Sequence, residues 1–159
     1  MAAAASGRQL GESSMFRIFL VASALILAAP AYASEKDDAM VPIKAFIDGI
    51  NKGDMKAAAA AHVDAPSIID EFAPHHWSSL DAWAADYGKD SQRLGASDGR
   101  LTMHKVHRLT LEGDAAYAVI PTDYTYKVKG KTIVEHGTIT YALTRAGGSW
   151  KIAAWSFSW

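Results

Sequence analysis

Apolar residues recur at helical spacing in the first half of the chain and at alternate positions in the second. Ile43, Phe46, Ile47 and Ile50 lie three and four residues apart, which predicts an amphipathic helix. Asp37-Asp38 suits its cap and Pro42 its first turn. "NKGD" (51–54) ends that helix, with Gly53 at the left-handed terminal position and Asp54 capping the next. "MKAAAAAHV" then predicts a short alanine-rich helix of high intrinsic propensity. "DAPS" (64–67) reads as a turn and Ile68–Phe72 as a short extended piece. Ser78 followed by Asp81 resembles a capping box. It opens a third helix whose buried face is Leu80, Trp83, Ala84 and Tyr87 and which stops at Gly88. Residues 88–100 read as a polar loop. From residue 101 the period changes to two. "LTMHKVHRLTL", "AAYAVIPTDYTYKV", "KTIVEHGTITYALTR" and "WKIAAWSFSW" are rich in β-branched and aromatic residues and are parted by "EGD", "KGK" and "AGGS" turns. Three helices followed by four long antiparallel strands predict an α+β domain, with the helices packed on one face of a curved sheet. No internal repeat is present.

The N-terminus departs from this pattern. "MFRIFLVASALILAAPAYAS" (15–34) places Arg17 before an apolar run and ends in Ala31-Tyr32-Ala33. That order is the one found in secretory signal peptides, and cleavage is expected after Ala33. The apolar run is shorter than the ~20 residues that a membrane-spanning helix needs. Met15 is an alternative start. Residues 37–159 are then one exported domain, periplasmic or secreted, with no membrane attachment after cleavage. The whole chain has 159 residues, is half hydrophobic and carries a formal net charge of −1. That suffices for one domain with a core and is too short for two. No basic run with interleaved aromatics is present, so nucleic acid is not an expected partner. Cysteine is absent, which excludes disulfides, zinc-thiolate sites and thiol nucleophiles. With no phosphate loop or dinucleotide fingerprint, no cofactor is expected.

Two stretches carry a family resemblance. "FIDGINKGDMKAAAAAHVDAPSIID" (46–70) resembles the helix–Asn-x-Gly-Asp–helix–acid opening of the nuclear transport factor 2-like superfamily. "GGSWKIAAWSFSW" (147–159) resembles its terminal strand. The superfamily includes ketosteroid isomerases and SnoaL-like polyketide cyclases. The resemblance covers residues 37–159 and implies a cystatin-like cone, in which helices and the concave sheet face enclose one pocket. It also implies that Asp70 occupies the position of the isomerase base. The isomerase oxyanion donors do not carry over. The tyrosine of the first helix falls on Phe46, and the acid of the penultimate strand falls in "TITYALTR", which contains none. Losing one such donor typically costs ~100-fold or more in rate, so steroid isomerisation itself is not expected. If the chain is an enzyme, the resemblance implies proton transfer of isomerase or cyclase type. Sheets of this superfamily often pair through their outer face, which implies a possible homodimer.

The candidate chemistry concentrates in "IIDEFAPHHW" (68–77) and at the C-terminus. Asp70, if buried, is a usable general base. Glu71 points the opposite way in an extended segment and reads as solvent-facing. His75 and His76 follow Pro74 in a loop, and His76 is taken as the acid–base partner of Asp70. Together with Asp70 and Glu71 they are competent metal ligands, but their spacing is not that of a metal site, and no metal is expected. By strand parity Trp155, Phe157 and Trp159 face the pocket, while Trp150, Ile152 and Ala154 face away. The expected lining therefore comprises Phe46, Phe72, His75, Trp77 and His107 with those three aromatics. A small apolar molecule suits such walls. The alternative is that the rings fill the cone and the domain serves as a non-catalytic dimeric interaction module. Tyr124, Tyr126 and Ile120 share one sheet face and Asp123 the other, and Pro121 leaves open which face is concave.

Overall fold

The computed structural model describes residues 28–159. Residues 1–27, which hold most of the expected signal peptide, lie outside the described residues. Three helices and seven strands follow in order: α1 (Ala28–Lys52), α2 (Met55–Ala60), β1 (His62–Ile69), β2 (His76–Trp77), α3 (Leu80–Leu94), β3 (Ala96–Met103), β4 (Arg108–Glu112), β5 (Ala115–Val128), β6 (Lys131–Ala146) and β7 (Ser149–Ser158). The strands form one curved, unclosed sheet in the order β2-β1-β7-β6-β5-β3, with β4 also paired to β5. The helices pack on its concave face, as the periodicity predicts. One pairing differs from an all-antiparallel sheet: β1 runs parallel to β7. The "DAPS" segment is part of that strand rather than a turn.

The helices start and stop for local reasons. α1 begins well before Asp37-Asp38, in an alanine-rich stretch of high helix propensity. Pro42 therefore lies inside the helix, where it cannot donate to the carbonyl four residues earlier. Asn51 is the penultimate residue of α1 and uses both halves of its amide. It donates to the Leu101 carbonyl (2.7 Å) and accepts from the Leu101 N–H (2.8 Å), so that it acts as a short strand partner for β3. Asp54 caps α2 by accepting from the Ala57 N–H. Gly49 lets α1 and α2 approach closely, since a Cβ there would meet the Ala58 nitrogen at 2.8 Å and the Asp54 carbonyl oxygen at 2.9 Å.

α3 departs further from expectation. Its cap is Ser79, which accepts from the Ala82 N–H at 3.1 Å, and the helix passes through Gly88 to Leu94. Two i,i+3 ion pairs, Asp86–Lys89 and Asp90–Arg93, brace the stretch beyond the glycine. Gly95 supplies the left-handed turn (φ 65°) that ends it. The expected polar loop 88–100 is thus the last turns of α3 and the start of β3.

The core lies between α1, α3 and the concave face. Ile43 and Phe46 from α1, Ile68 from β1, Ile120 from β5, Tyr141 from β6 and Ile152 from β7 are all buried to 1% exposure or less. Burying each such side chain contributes roughly 1.5–3 kcal/mol. His62 is buried among them. It donates from Nδ1 to the Ala58 carbonyl at 2.9 Å, and burial holds its pKa below the usual imidazole value, so it is a neutral core histidine. Among the described residues no helix is long and apolar enough to cross a membrane.

The register of β7 contains a break. Ala142 pairs with Ala154 but Leu143 pairs with Ile152, so Ala153 is an extra residue in a β-bulge. A bulge moves parity by one. Trp150 and Ile152 before it therefore face the same side as Trp155 and Phe157 after it, opposite Arg145, Leu143, Tyr141 and Ile139 of β6. The expectation that Trp150 and Ile152 face away is corrected on this ground. Pro121 causes no such break, because β5 and β6 pair in unbroken register from Ala115 to Val128.

Candidate functional site

A cavity of about 270 Å³ opens between α3, the end of β1 and the concave sheet. Its apolar walls come from α1 (Phe46, Ile50), α3 (Trp83, Tyr87) and the terminal strand (Trp155, Phe157). The rings contact one another. Trp83 stacks on Tyr87 at 5.3 Å and meets Trp155 edge-on at 5.3 Å, and Phe46 lies 5.4 Å from Trp155. The cone is lined with aromatics but is not filled by them.

Asp70 follows the last residue of β1 and lines this cavity. Trp83 Nε1–H donates to its Oδ2 at 2.9 Å and the Glu71 backbone N–H to its Oδ1 at 2.8 Å. Burial raises the Asp70 pKa above the usual carboxylate value, and these two hydrogen bonds partly oppose that rise. Glu71 is also in the wall. β1 ends at Ile69, so strand alternation no longer governs residue 71; Glu71 is exposed, as expected, and at the same time lies at the mouth of the cavity. Its carboxyl is pushed up to about 7, first by desolvation and then by repulsion from Glu135, Asp70 and Asp90.

A tyrosine group forms the opposite wall. Tyr124 and Tyr126 of β5 stack at 5.1 Å and project from the concave face, which places Asp123 on the convex one. The Tyr87 and Tyr124 hydroxyls are hydrogen-bonded to each other, linking α3 to β5. Burial, the first cause, and the Tyr87 bond push the Tyr124 pKa well up. Tyr126 donates to Glu135 Oε1 at 2.7 Å, and that bond holds its phenol near about 12.

The structure brings Asp70, Phe46, Phe72, Trp155 and Phe157 together around the cavity and leaves the other expected residues out of its wall. His76 is exposed on β2 with Nε2 3.2 Å from Ser67 Oγ, so it is not the partner of the Asp70 carboxyl. His75 is exposed in a left-handed conformation (φ 72°), and its Nδ1 lies 3.3 Å from the Asp70 backbone carbonyl, not its carboxylate. Trp77 is buried beneath α3, its ring tilted against Phe72 at 4.8 Å and its N–H donating to Asp86 at 3.0 Å. His107 is exposed because the chain bulges off the sheet: His104 N–H reaches the Pro121 carbonyl and His107 N–H the Val119 carbonyl, and parity is lost between them. Trp159 lies past the last pairing of β7 and is 80% exposed. Sequence reasoning missed Asp90, because α3 was expected to stop before it, and Glu135, because the concave face of the sheet was open. On the convex face, Asp123 accepts from His136 (2.7 Å) and pairs with His104 (2.9 Å), which holds its pKa below the usual value. Among the described residues no group of three or more histidines and acids is arranged to hold a metal ion.

An α+β cone lined with aromatics, with a half-buried carboxylate in its wall, has the form of a ligand-binding cone. The sequence model of the SnoaL-like domain family matches residues 42–159, and the chain belongs to that family. Solved structures share the fold at low identity. A nuclear transport factor 2-like superfamily protein from Salmonella enterica superposes with TM-score 0.67 at 17% identity, covering 80% of this chain and 92% of that one. A nuclear transport factor 2-like protein with a cystatin-like fold from Novosphingobium aromaticivorans gives 0.63 at 17%, covering 82% and 85%. A hexachlorocyclohexane dehydrochlorinase (LinA) type 2 gives 0.68 at 12%, covering 82% and 88%. Comparison with curated proteins finds no match.

Proposed function

We propose that this is an exported domain that takes a small lipophilic molecule into its aromatic cone, with Asp70 as general base. The observation that carries the reading is the cavity beside Asp70, whose carboxyl burial raises toward the range of a working base. A base there would remove a proton from a carbon next to a carbonyl. The charge that develops on the oxygen needs donors. Phe46 offers none. In the Tyr87–Tyr124 pair one hydroxyl donates to the other, and the acceptor's own O–H remains free for the ligand. The dehydrochlorinase shares this fold but so distantly that its reaction says nothing of the reaction here.

The test is native mass spectrometry of the protein from the exported fraction, followed by turnover assays on any ligand found. A copurifying apolar molecule, with Asp70→Asn retaining binding but losing turnover by about 100-fold or more, is the expected result. Binding without any turnover in the wild type would leave the cone as a carrier and remove Asp70's role as base. Absence of any lipophilic ligand, natural or supplied, would overturn the reading. Export has its own check, since a mature chain beginning at Ser34 would keep every described core residue, the first of which is Ala39. A second copy of the chain across the convex face, where Thr138 and Thr140 project, is the proposed partner and is tested by light scattering.

A further inference from the structure

We infer that the ligand this cavity takes is an organic cation, an ammonium or amine group on an apolar body. The inference rests on reading the cavity as a ligand site and adds the charge of what fills it. Four carboxylates, Asp70, Glu71, Asp90 and Glu135, lie in one wall system with eight aromatic rings. Among the described residues of that wall the only base is Arg93, and it is already held by Asp90 through Nε (3.1 Å) and an NH2 group (2.6 Å). The wall therefore carries an excess of three formal negative charges when its acids are ionised.

A neutral occupant would displace water and leave those charges facing one another across a drier space, where their repulsion grows. An anionic occupant would add to it. A cation would be attracted to the carboxylates and to the electron-rich faces of Trp83, Tyr87, Tyr124 and Trp155 at once. The repulsion already acts on Glu71, whose carboxyl the neighbouring acids help to hold up at about 7. Tyr126 gives Glu135 Oε1 only a neutral hydroxyl donor, so the negative charge of that carboxylate is left uncompensated and would attract a cation.

The experiment uses three probes of one shape and different charge: benzyltrimethylammonium, its neutral carbon analogue neopentylbenzene, and the anion benzylsulfonate. Binding is followed by calorimetry and indole fluorescence. The expected result is that the cation binds at least about tenfold tighter than the neutral probe and that the sulfonate does not bind. Glu135→Gln, which keeps an oxygen for Tyr126, and Glu71→Gln should each weaken the cation several-fold and leave the neutral probe unchanged. If the neutral probe binds as well as the cation, the charge inference falls and the ligand site stands. If the cation binds but neither glutamine variant weakens it, the inference also falls. If none of the three binds, both the inference and the cone reading fall.

Discussion

Replacing Glu71 by Gln should stabilise the protein at alkaline pH and do nothing at acid pH. The folded protein holds this carboxyl at about 7 against its ordinary 4.5. Between those values the folded state keeps a proton that the unfolded chain has released, so stability falls as pH rises through the window. Above 7 the full penalty is present, and below 4.5 it is absent because both states are protonated. A completely buried group would feel about 3 kcal/mol from such a gap. Glu71 sits at the mouth and is largely exposed, and solvent screening cuts the penalty to about 1 kcal/mol. Gln keeps the shape and removes the charge. Thermal unfolding followed by circular dichroism should show a gain of about 3 °C at pH 8 and no difference at pH 4. An equal gain at both pH values, or a loss at pH 8, would refute the claim that desolvation, together with Glu135, Asp70 and Asp90, disfavours the charge at this position.

Gly49→Ala should destabilise by about 1–3 kcal/mol in urea unfolding, because its Cβ would press on backbone atoms of α2 that cannot rotate aside; a neutral result would mean the two helices slide freely. Trp83→Phe removes the donor to Asp70 Oδ2, one of the two hydrogen bonds that oppose the effect of burial. The Asp70 pKa should then rise further in a carboxyl NMR titration, and an unchanged or lowered value would remove Trp83 from the control of that acid.

What the sequence revealed follows from which interactions are local. The apolar stripe of α1, the Asp54 cap and the glycine turns act within a few residues, and each is visible in the string. Asp70 could be placed because the opening motif has a family counterpart. The wall opposite could not. Tyr124, Tyr126 and Glu135 reach the cavity only through the pairing of β5 with β6, and nothing local says which face of that pair is concave. Asp90 was hidden because Gly88 looks like a stop signal, whereas α3 continues past it, with one ion pair (Asp86–Lys89) spanning the glycine and another (Asp90–Arg93) beyond it. Trp159 and His107 failed for one reason: strand parity was carried across places where the strand had ended or left the sheet.

The extra residue in β7 divides the labour of a single strand. Trp150 and Ile152 lie on one side of Ala153 and seal the ground under α1, while Trp155 and Phe157 lie on the other and shape the cone. Without the bulge, one half or the other would be turned out to the convex face. With it, a strand of ten residues faces inward along its length, and its foundation can stay fixed while the wall facing the ligand is rewritten two positions at a time.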